Sequence, residues 1–276
     1  HRHHFYYVQP YIDGSGLSSL LRDEPNGSRA EAAVSAAKDL AWKLQMAPLG
    51  AAANSADTFT FFRQFTTAEY LMALNVLPKQ VTQAPSVMID GVEYTSLGPA
   101  LERLFASRRL DSLKRIFSLE TFRHWNLHGG NLIFDDDLNV HLIDPDTNIL
   151  LHDPLFEIAR LYYTAHHDMV EYRSFTIEGT GSDRLAIKYT LNQQQMNNYA
   201  LLYDLSIGDR SAVGVTDADI PELQTRLGLA YLSCLLRGIN ANYLEGENDT
   251  PEFQMLSNSM YLYLIATQIA NQLAEA

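Results

Sequence analysis

Three polar residues stand at a spacing that chemistry could use. Asn126 and Asn131 lie five positions apart in Trp125-Asn126-Leu127-His128-Gly129-Gly130-Asn131, and Asp144 follows in Leu142-Ile143-Asp144. Transfer of a phosphoryl group to a hydroxyl needs a group that orients or deprotonates the hydroxyl, oxygen ligands for Mg²⁺, and a site for the nucleotide phosphates. One loop carrying two side chains at this spacing, with a carboxylate folded back beside it by a strand, turn and strand, can meet the first two needs. Asn126, Asn131 and Asp144 have that arrangement, and His128 is placed to orient the loop. Taken alone, the two asparagines can equally be loop residues that cap backbone groups.

The elements that must position these residues are legible on either side. Leu132-Ile133-Phe134 and Val140-His141-Leu142-Ile143 predict two strands joined by a turn at Asp135-Asp136-Asp137-Leu138-Asn139. Adjacent carboxylates at such a tip read as a solvated turn before they read as a metal cluster. Upstream, residues 5–12 predict a strand that Asp13-Gly14-Ser15-Gly16 breaks before a short helix at 17–21. Ser28-Arg29-Ala30-Glu31 has the capping-box pattern for a long helix to Met46, with Val34, Ala37, Ala41 and Leu44 on one side. A small-residue loop is expected over 48–57, a helix over 66–76 and irregular chain over 78–85. Asp90-Gly91 between Val87-Met88-Ile89 and Val92-Glu93-Tyr94 is a strong hairpin signal. Leu101, Leu104 and Phe105, then Leu113, Ile116 and Phe117, recur at helical spacing. Beyond Asp153-Pro154 helices are expected over 155–164, 192–205, 221–243 and 251–274, with Thr250 as a cap and Glu178-Gly179-Thr180-Gly181 as a plain turn. The fold class that follows is α+β, mostly α, with small β-hairpins in one domain.

Composition narrows the function. A net charge of −13 argues against a nucleic-acid partner, which needs clustered Lys and Arg. The single cysteine, Cys234, excludes an intrachain disulfide and sits in an apolar helical run that suits a buried thiol. No apolar run has the length of a membrane span and no charged-then-apolar leader opens the chain, so a cytoplasmic protein is expected. His166 and His167 read as helix-end or surface residues without a partner at metal spacing, and Tyr162, Tyr163, Tyr261 and Tyr263 as core ahead of a partner-contact stripe. His1-Arg2-His3-His4 has no regular spacing and is assigned no function.

His124-Trp125-Asn126-Leu127-His128-Gly129-Gly130-Asn131-Leu132-Ile133 resembles the H-G-D-L-H-x-G-N-I-L loop of aminoglycoside phosphotransferase and choline kinase-like enzymes, within the protein kinase-like superfamily. Ile143-Asp144-Pro145-Asp146 is similar to their metal-binding segment, and Tyr7-Val8-Gln9-Pro10-Tyr11-Ile12-Asp13-Gly14 to the hinge strand on which adenine lies. Ile89-Asp90-Gly91-Val92-Glu93-Tyr94 and Asp153-Pro154-Leu155-Phe156-Glu157-Ile158-Ala159-Arg160-Leu161 resemble segments of a sub-branch found with bacterial capsule and surface-polysaccharide biosynthesis.

The resemblance implies a kinase-like C-terminal lobe over residues 1–276, with a hinge-like strand at 5–14, catalytic and metal-binding loops at 124–146 and a helical part at 190–276. It implies Mg²⁺ on Asn131 and Asp144, the adenine of ATP against Gln9, Pro10 and Tyr11, and transfer to a hydroxyl of a small molecule, a sugar or related polyol. Asn126 stands where these enzymes carry the catalytic aspartate. An amide does not accept a proton as a carboxylate does, and general-base assistance is worth roughly 10² to 10⁴ in rate. The expectation is a weak or inactive enzyme, with a pseudokinase binding a nucleotide, a glycan precursor or a protein partner as the alternative. Such enzymes also hold the phosphates with a Gly-rich loop and a strand lysine ahead of the hinge, so that lobe is expected from elsewhere, in cis or in trans.

Overall fold

Asp90 and Gly91 form the turn their types suggest. Both adopt the left-handed region, at φ 52° and 81°, and this twist joins β3 (Ser86–Ile89) to β4 (Val92–Thr95) in antiparallel register, Ile89 opposite Val92. The protein's structure, a computed structural model, describes residues 12–24, 27–46, 48–52, 56–106, 119–121, 126–145, 154–179, 184–208, 210, 213–244 and 252–275. The fold is α+β and mostly helical.

Among the described residues three sheets punctuate the helices. β1 (Ser15–Gly16), β6 (Leu132–Phe134) and β7 (Val140–Leu142) make the first, with β6 in the centre and antiparallel to both neighbours. Residues 12–14 lie outside any strand, so the described end of the expected 5–14 hinge strand is a bend, and the pairing falls on Ser15 and Gly16 instead. Residues Gln9, Pro10 and Tyr11 lie outside the described residues. β2 (Pro48–Ala52) pairs with β5 (Leu119–Thr121) across a register shift. This corrects the loop expected at 48–57: a small-residue segment has no pattern of its own, and its partner strand is distant in sequence.

The third sheet holds a second correction. β8 (Phe175–Gly179) and β9 (Arg184–Tyr189) form a hairpin where only a turn is expected from sequence, and β9 lies parallel to β3. The alternation was present, with Phe175 and Ile187 buried and Thr176, Glu178 and Lys188 exposed. Asp90 fastens the junction, its Oδ1 accepting from Ile187 N at 2.8 Å and its own N donating to Leu185 O at 3.1 Å.

The helices follow their apolar periodicity. α1 (Leu17–Asp23) buries Leu17, Leu20 and Leu21; α2 (Gly27–Met46) buries Ala33, Val34, Ala37, Ala41 and Trp42. α2 starts one residue ahead of Ser28, so Ser28 lies in its first turn. α3 (Ala56–Val76) starts ten residues earlier than periodicity suggests, and a single turn, α4 (Lys79–Thr82), interrupts the stretch expected to be irregular. α5 (Leu97–Ala106) turns Leu97, Leu101 and Leu104 inward; Leu113, Ile116 and Phe117 lie outside the described residues.

Four further helices complete the core: α6 (Pro154–Glu171), α7 (Gln193–Tyr203), α8 (Ile220–Leu244) and α9 (Glu252–Glu275). α7 opens with a reciprocal capping box between Asn192 and Gln195. α6, α3 and α9 all pack on α8, and the buried apolar residues form one continuous cluster from Leu17 to Ala270. Among the described residues no helix is long and apolar enough to cross a membrane.

Candidate active site

The segment 126–131 has almost no regular structure, so its backbone donors need partners from elsewhere. α6 supplies them from one face. Leu127 N donates to Glu157 Oε2 at 3.3 Å, Gly129 N donates to Thr164 Oγ1 at 2.8 Å, and Arg160 Nη2 donates to Asn126 Oδ1 at 2.6 Å. Glu157, Arg160 and Thr164 follow the i, i+3, i+7 rise of a helix, so they lie in a row along the loop. Gly129 is buried against this row, and a Cβ there would press on Thr164 Cγ2, Ser18 Oγ and Leu17 Cβ. Glycine is what lets the loop sit that close.

The loop then closes on itself. His128 N donates to Asn126 O at 3.0 Å, and the His128 ring caps the 3-10 turn Gly129–Asn131 by accepting at Nδ1 from Gly130 N at 3.2 Å. His128 thereby holds the Gly129–Asn131 turn in shape.

Asn131 joins the two chemical segments. It is 6% exposed, and its Nδ2 donates to Asn126 O at 2.9 Å and approaches Asp144 O at 3.5 Å. Its backbone O accepts from Ile143 N at 3.1 Å, extending the β6–β7 pairing by one residue. Asn126, Asn131 and Asp144 thus meet at one end of the hairpin. Asp144 has φ 53°, a left-handed backbone that costs energy in residues other than glycine, and its side chain is exposed.

The amide nitrogen of Asn131 behaves as a loop-capping group does, so that reading is part of the truth. Its Oδ1, turned the other way by amide planarity, accepts no bond among the described residues. An amide oxygen and a carboxylate are the hard donors that Mg²⁺ takes, so Asn131 and Asp144 fit that ion. Asp136 and Asp137 are exposed at the hairpin tip, while Asp135 accepts from Asn139 N at 2.8 Å and from Asn139 Nδ2 at 3.0 Å, which holds its carboxyl below the usual range. A solvated turn is the observed state.

Two histidine expectations need correction. His166 is buried among Tyr203, Tyr231 and Tyr261, its Nδ1 is 2.8 Å from Tyr261 Oη, and burial pushes its pKa down to about 3. Its position on the inner face of α6, set by packing with α8 and α9, overrides its polarity. His167 does have neighbours at metal spacing, with Nδ1 3.6 Å from Glu171 Oε2 and 3.9 Å from Asp168 Oδ1. The tyrosines agree with expectation: Tyr162, Tyr261 and Tyr263 are buried, and Tyr163 is half-buried.

Sequence reasoning assigned no role to Glu157, Arg160 or Thr164. The signal was there as three polar residues in a row on an otherwise apolar helix face. No protein-family model, no curated protein and no solved structure matches this chain.

Proposed function

We propose that this protein is a kinase-like phosphotransferase domain that binds Mg²⁺-ATP and acts on a hydroxyl of a small molecule, a sugar or related polyol, in a cytoplasmic setting. The observation that carries the reading is Asn131, whose single side chain ties the Asn126 loop to the Asp144 segment. An unrelated helical interaction protein has no need to bring these three residues together, and their meeting counts against that class. Mg²⁺, held by Asn131 Oδ1 and the Asp144 carboxylate, would offset the phosphate charge during transfer. Glu157 and Thr164 keep the loop backbone rigid, and Arg160 fixes the direction of the residue at position 126. With an amide there, the acceptor hydroxyl is oriented but not deprotonated.

A catalytically impaired binding module is the second reading, and the Asn126 amide is what favours it. The two are separated by Asn126→Asp in the full-length protein. A carboxylate at that position would meet Arg160 in a charge-assisted bond, remain ionised at neutral pH and accept the hydroxyl proton. Mg²⁺-dependent phosphate transfer to sugar acceptors is expected to rise by roughly 10² to 10⁴ over the parent chain. Unchanged silence with intact folding would leave the binding module. Nucleotide binding itself is read by thermal shift: millimolar Mg²⁺-ATP should raise Tm, and Asp144→Asn should remove the Mg²⁺-dependent part.

A further inference from the structure

We propose that the C-terminal end of α6 binds one transition-metal ion of the zinc class, with His167 Nδ1, the Asp168 carboxylate and Glu171 Oε2 as its ligands. The site uses none of Asn126, Asn131 and Asp144, so it stands apart from the phosphotransferase reading. The three residues lie within little more than one turn of helix, and their donor atoms all fall within 4.8 Å of one another. His167 Nδ1 is 3.6 Å from Glu171 Oε2 and 3.9 Å from Asp168 Oδ1. Tetrahedral Zn²⁺, with bonds of about 2.0 to 2.2 Å, sets its ligand atoms about 3.3 to 3.6 Å apart. Small rotations of the exposed His167 and Glu171 side chains close the difference.

An exposed His and Glu at i, i+4 form an ion pair on many helices without a metal. Asp168 is what separates this cluster from such a pair. Its side chain is 3% exposed and reaches toward His167. Oδ1 accepts from Ser18 Oγ at 3.1 Å, and Oδ2, on the same carbon, is buried without a hydrogen bond. A buried carboxylate with one neutral donor and one unbonded oxygen keeps most of its charge uncompensated, which is costly. Arg22, which acts with Asp168 on the Tyr199 phenol, is held by Asp23 through two bonds at 2.8 Å. Burial raises the pKa of Tyr199 and keeps it neutral. His167 supplies a charge only when protonated, and it divides that charge between Asp168 and Glu171. A divalent ion meets both carboxylates at once and takes the imidazole as a neutral ligand.

The surroundings favour a cation as well. Residues 167–171 close α6, where the negative end of the helix dipole lies. Ser18 fixes the Asp168 carboxylate from α1, and Tyr163 meets the His167 ring edge-on at 6.2 Å, as outer contacts orient metal ligands. The donor set decides the ion: an imidazole with two carboxylates suits Zn²⁺ and its neighbours, whereas Mg²⁺ prefers oxygen. Three protein ligands leave a fourth position for water. His167 also shares a cavity of about 400 Å³ between α6 and α8 with His128, Arg160 and Arg237, and its ring is 6.5 Å from that of His128. The ion therefore sits beside the loop that Ser18 and Thr164 flank at Gly129.

The test is calorimetric titration of the metal-free full-length protein with Zn²⁺ and with Mg²⁺. The parent is expected to take up one Zn²⁺ that His167→Ala and Glu171→Gln each bind about tenfold to a hundredfold more weakly, with Ser18→Ala weakening it about tenfold through Asp168. His1, His3 and His4 are unchanged in these variants, so any uptake by that segment cancels in the comparison. Both ligand side chains altered are 55% exposed, and the variants are expected to fold as the parent does. Co²⁺ should give the visible absorption of a four-coordinate ion in the parent and lose it in His167→Ala. Zn²⁺ should raise the Tm of the parent and leave that of the doubly substituted His167→Ala, Glu171→Gln protein unmoved. No uptake by the parent would overturn the proposal, and so would equal uptake by the parent and the double variant. Mg²⁺ bound as tightly as Zn²⁺ would overturn the choice of ion.

Discussion

α6 divides two regions that are held together by different means. Toward the loop at 126–131 it presents Glu157, Arg160 and Thr164, each bonded to a neighbouring loop residue. Toward the helical core it presents Ile158, Leu161, Tyr162, Ala165 and Met169, all buried, with Tyr162 meeting Trp42 of α2. The loop lacks a ladder of its own, so each buried N–H needs a named acceptor and the polar residues on the helix are fixed one by one. The helical side satisfies its own backbone, so its residues are selected by shape, and its buried polar atoms include both pairs such as His166 with Tyr261 and unbonded hydroxyls such as that of Tyr231. The loop side is therefore specified by few contacts and the core side by many.

That contrast can be broken at three points. At Gly129, Ala would press on Thr164, Ser18 and Leu17 and cost about 1 to 3 kcal/mol in urea unfolding. Gly130→Ala meets only the His128 ring and should cost less than about 1 kcal/mol. Equal costs at the two positions would mean that α6 does not clamp the loop.

An acid-stability series probes the core side. The pKa of His166 falls from 6.5 unfolded to about 3 folded, because burial disfavours its charged form. The unfolded chain then binds the extra proton, so stability is full above pH 6.5 and is lost as pH falls toward 3, by about 1 kcal/mol per pH unit from this group. His166→Gln should flatten that part of the profile. A slope identical to that of the parent would place the acid lability in another region.

The smallest effect is expected at Tyr231, which is set against a second buried tyrosine. Tyr261→Phe removes the partner of His166 and should cost about 1 to 3 kcal/mol, whereas the Tyr231 hydroxyl has no bond among the described residues. Tyr231→Phe should change stability by less than about 0.5 kcal/mol, read from chemical denaturation midpoints. Similar losses at both would show that core polar pairs are not individually important.

Much of the fold was legible because its signals are local. Asp90-Gly91 specifies a left-handed turn wherever it occurs, and the strand pair around 135–139 announces itself through alternation and turn residues. The amphipathic spacing of α2, α5, α8 and α9 works the same way. The β2–β5 pairing and the insertion of β9 beside β3 were not legible, since each joins segments far apart in the chain with weak patterns of their own. At the site, the spacing of Asn126, Asn131 and Asp144 could be read, while the grip of α6 on the loop could not.

The sequence by itself determined the α+β character and the β-hairpin signals at 90–91 and 135–139, because these depend on neighbours within a few turns of chain. Only the tertiary structure decided that Asn131 bridges Asn126 to Asp144, that His166 is buried, and that Arg160 and Arg237 share one cavity in an acidic protein. Those facts depend on the packing of α6 against α8 and on the hairpin closing back on the loop, and spacing along the chain carries no information about such distances.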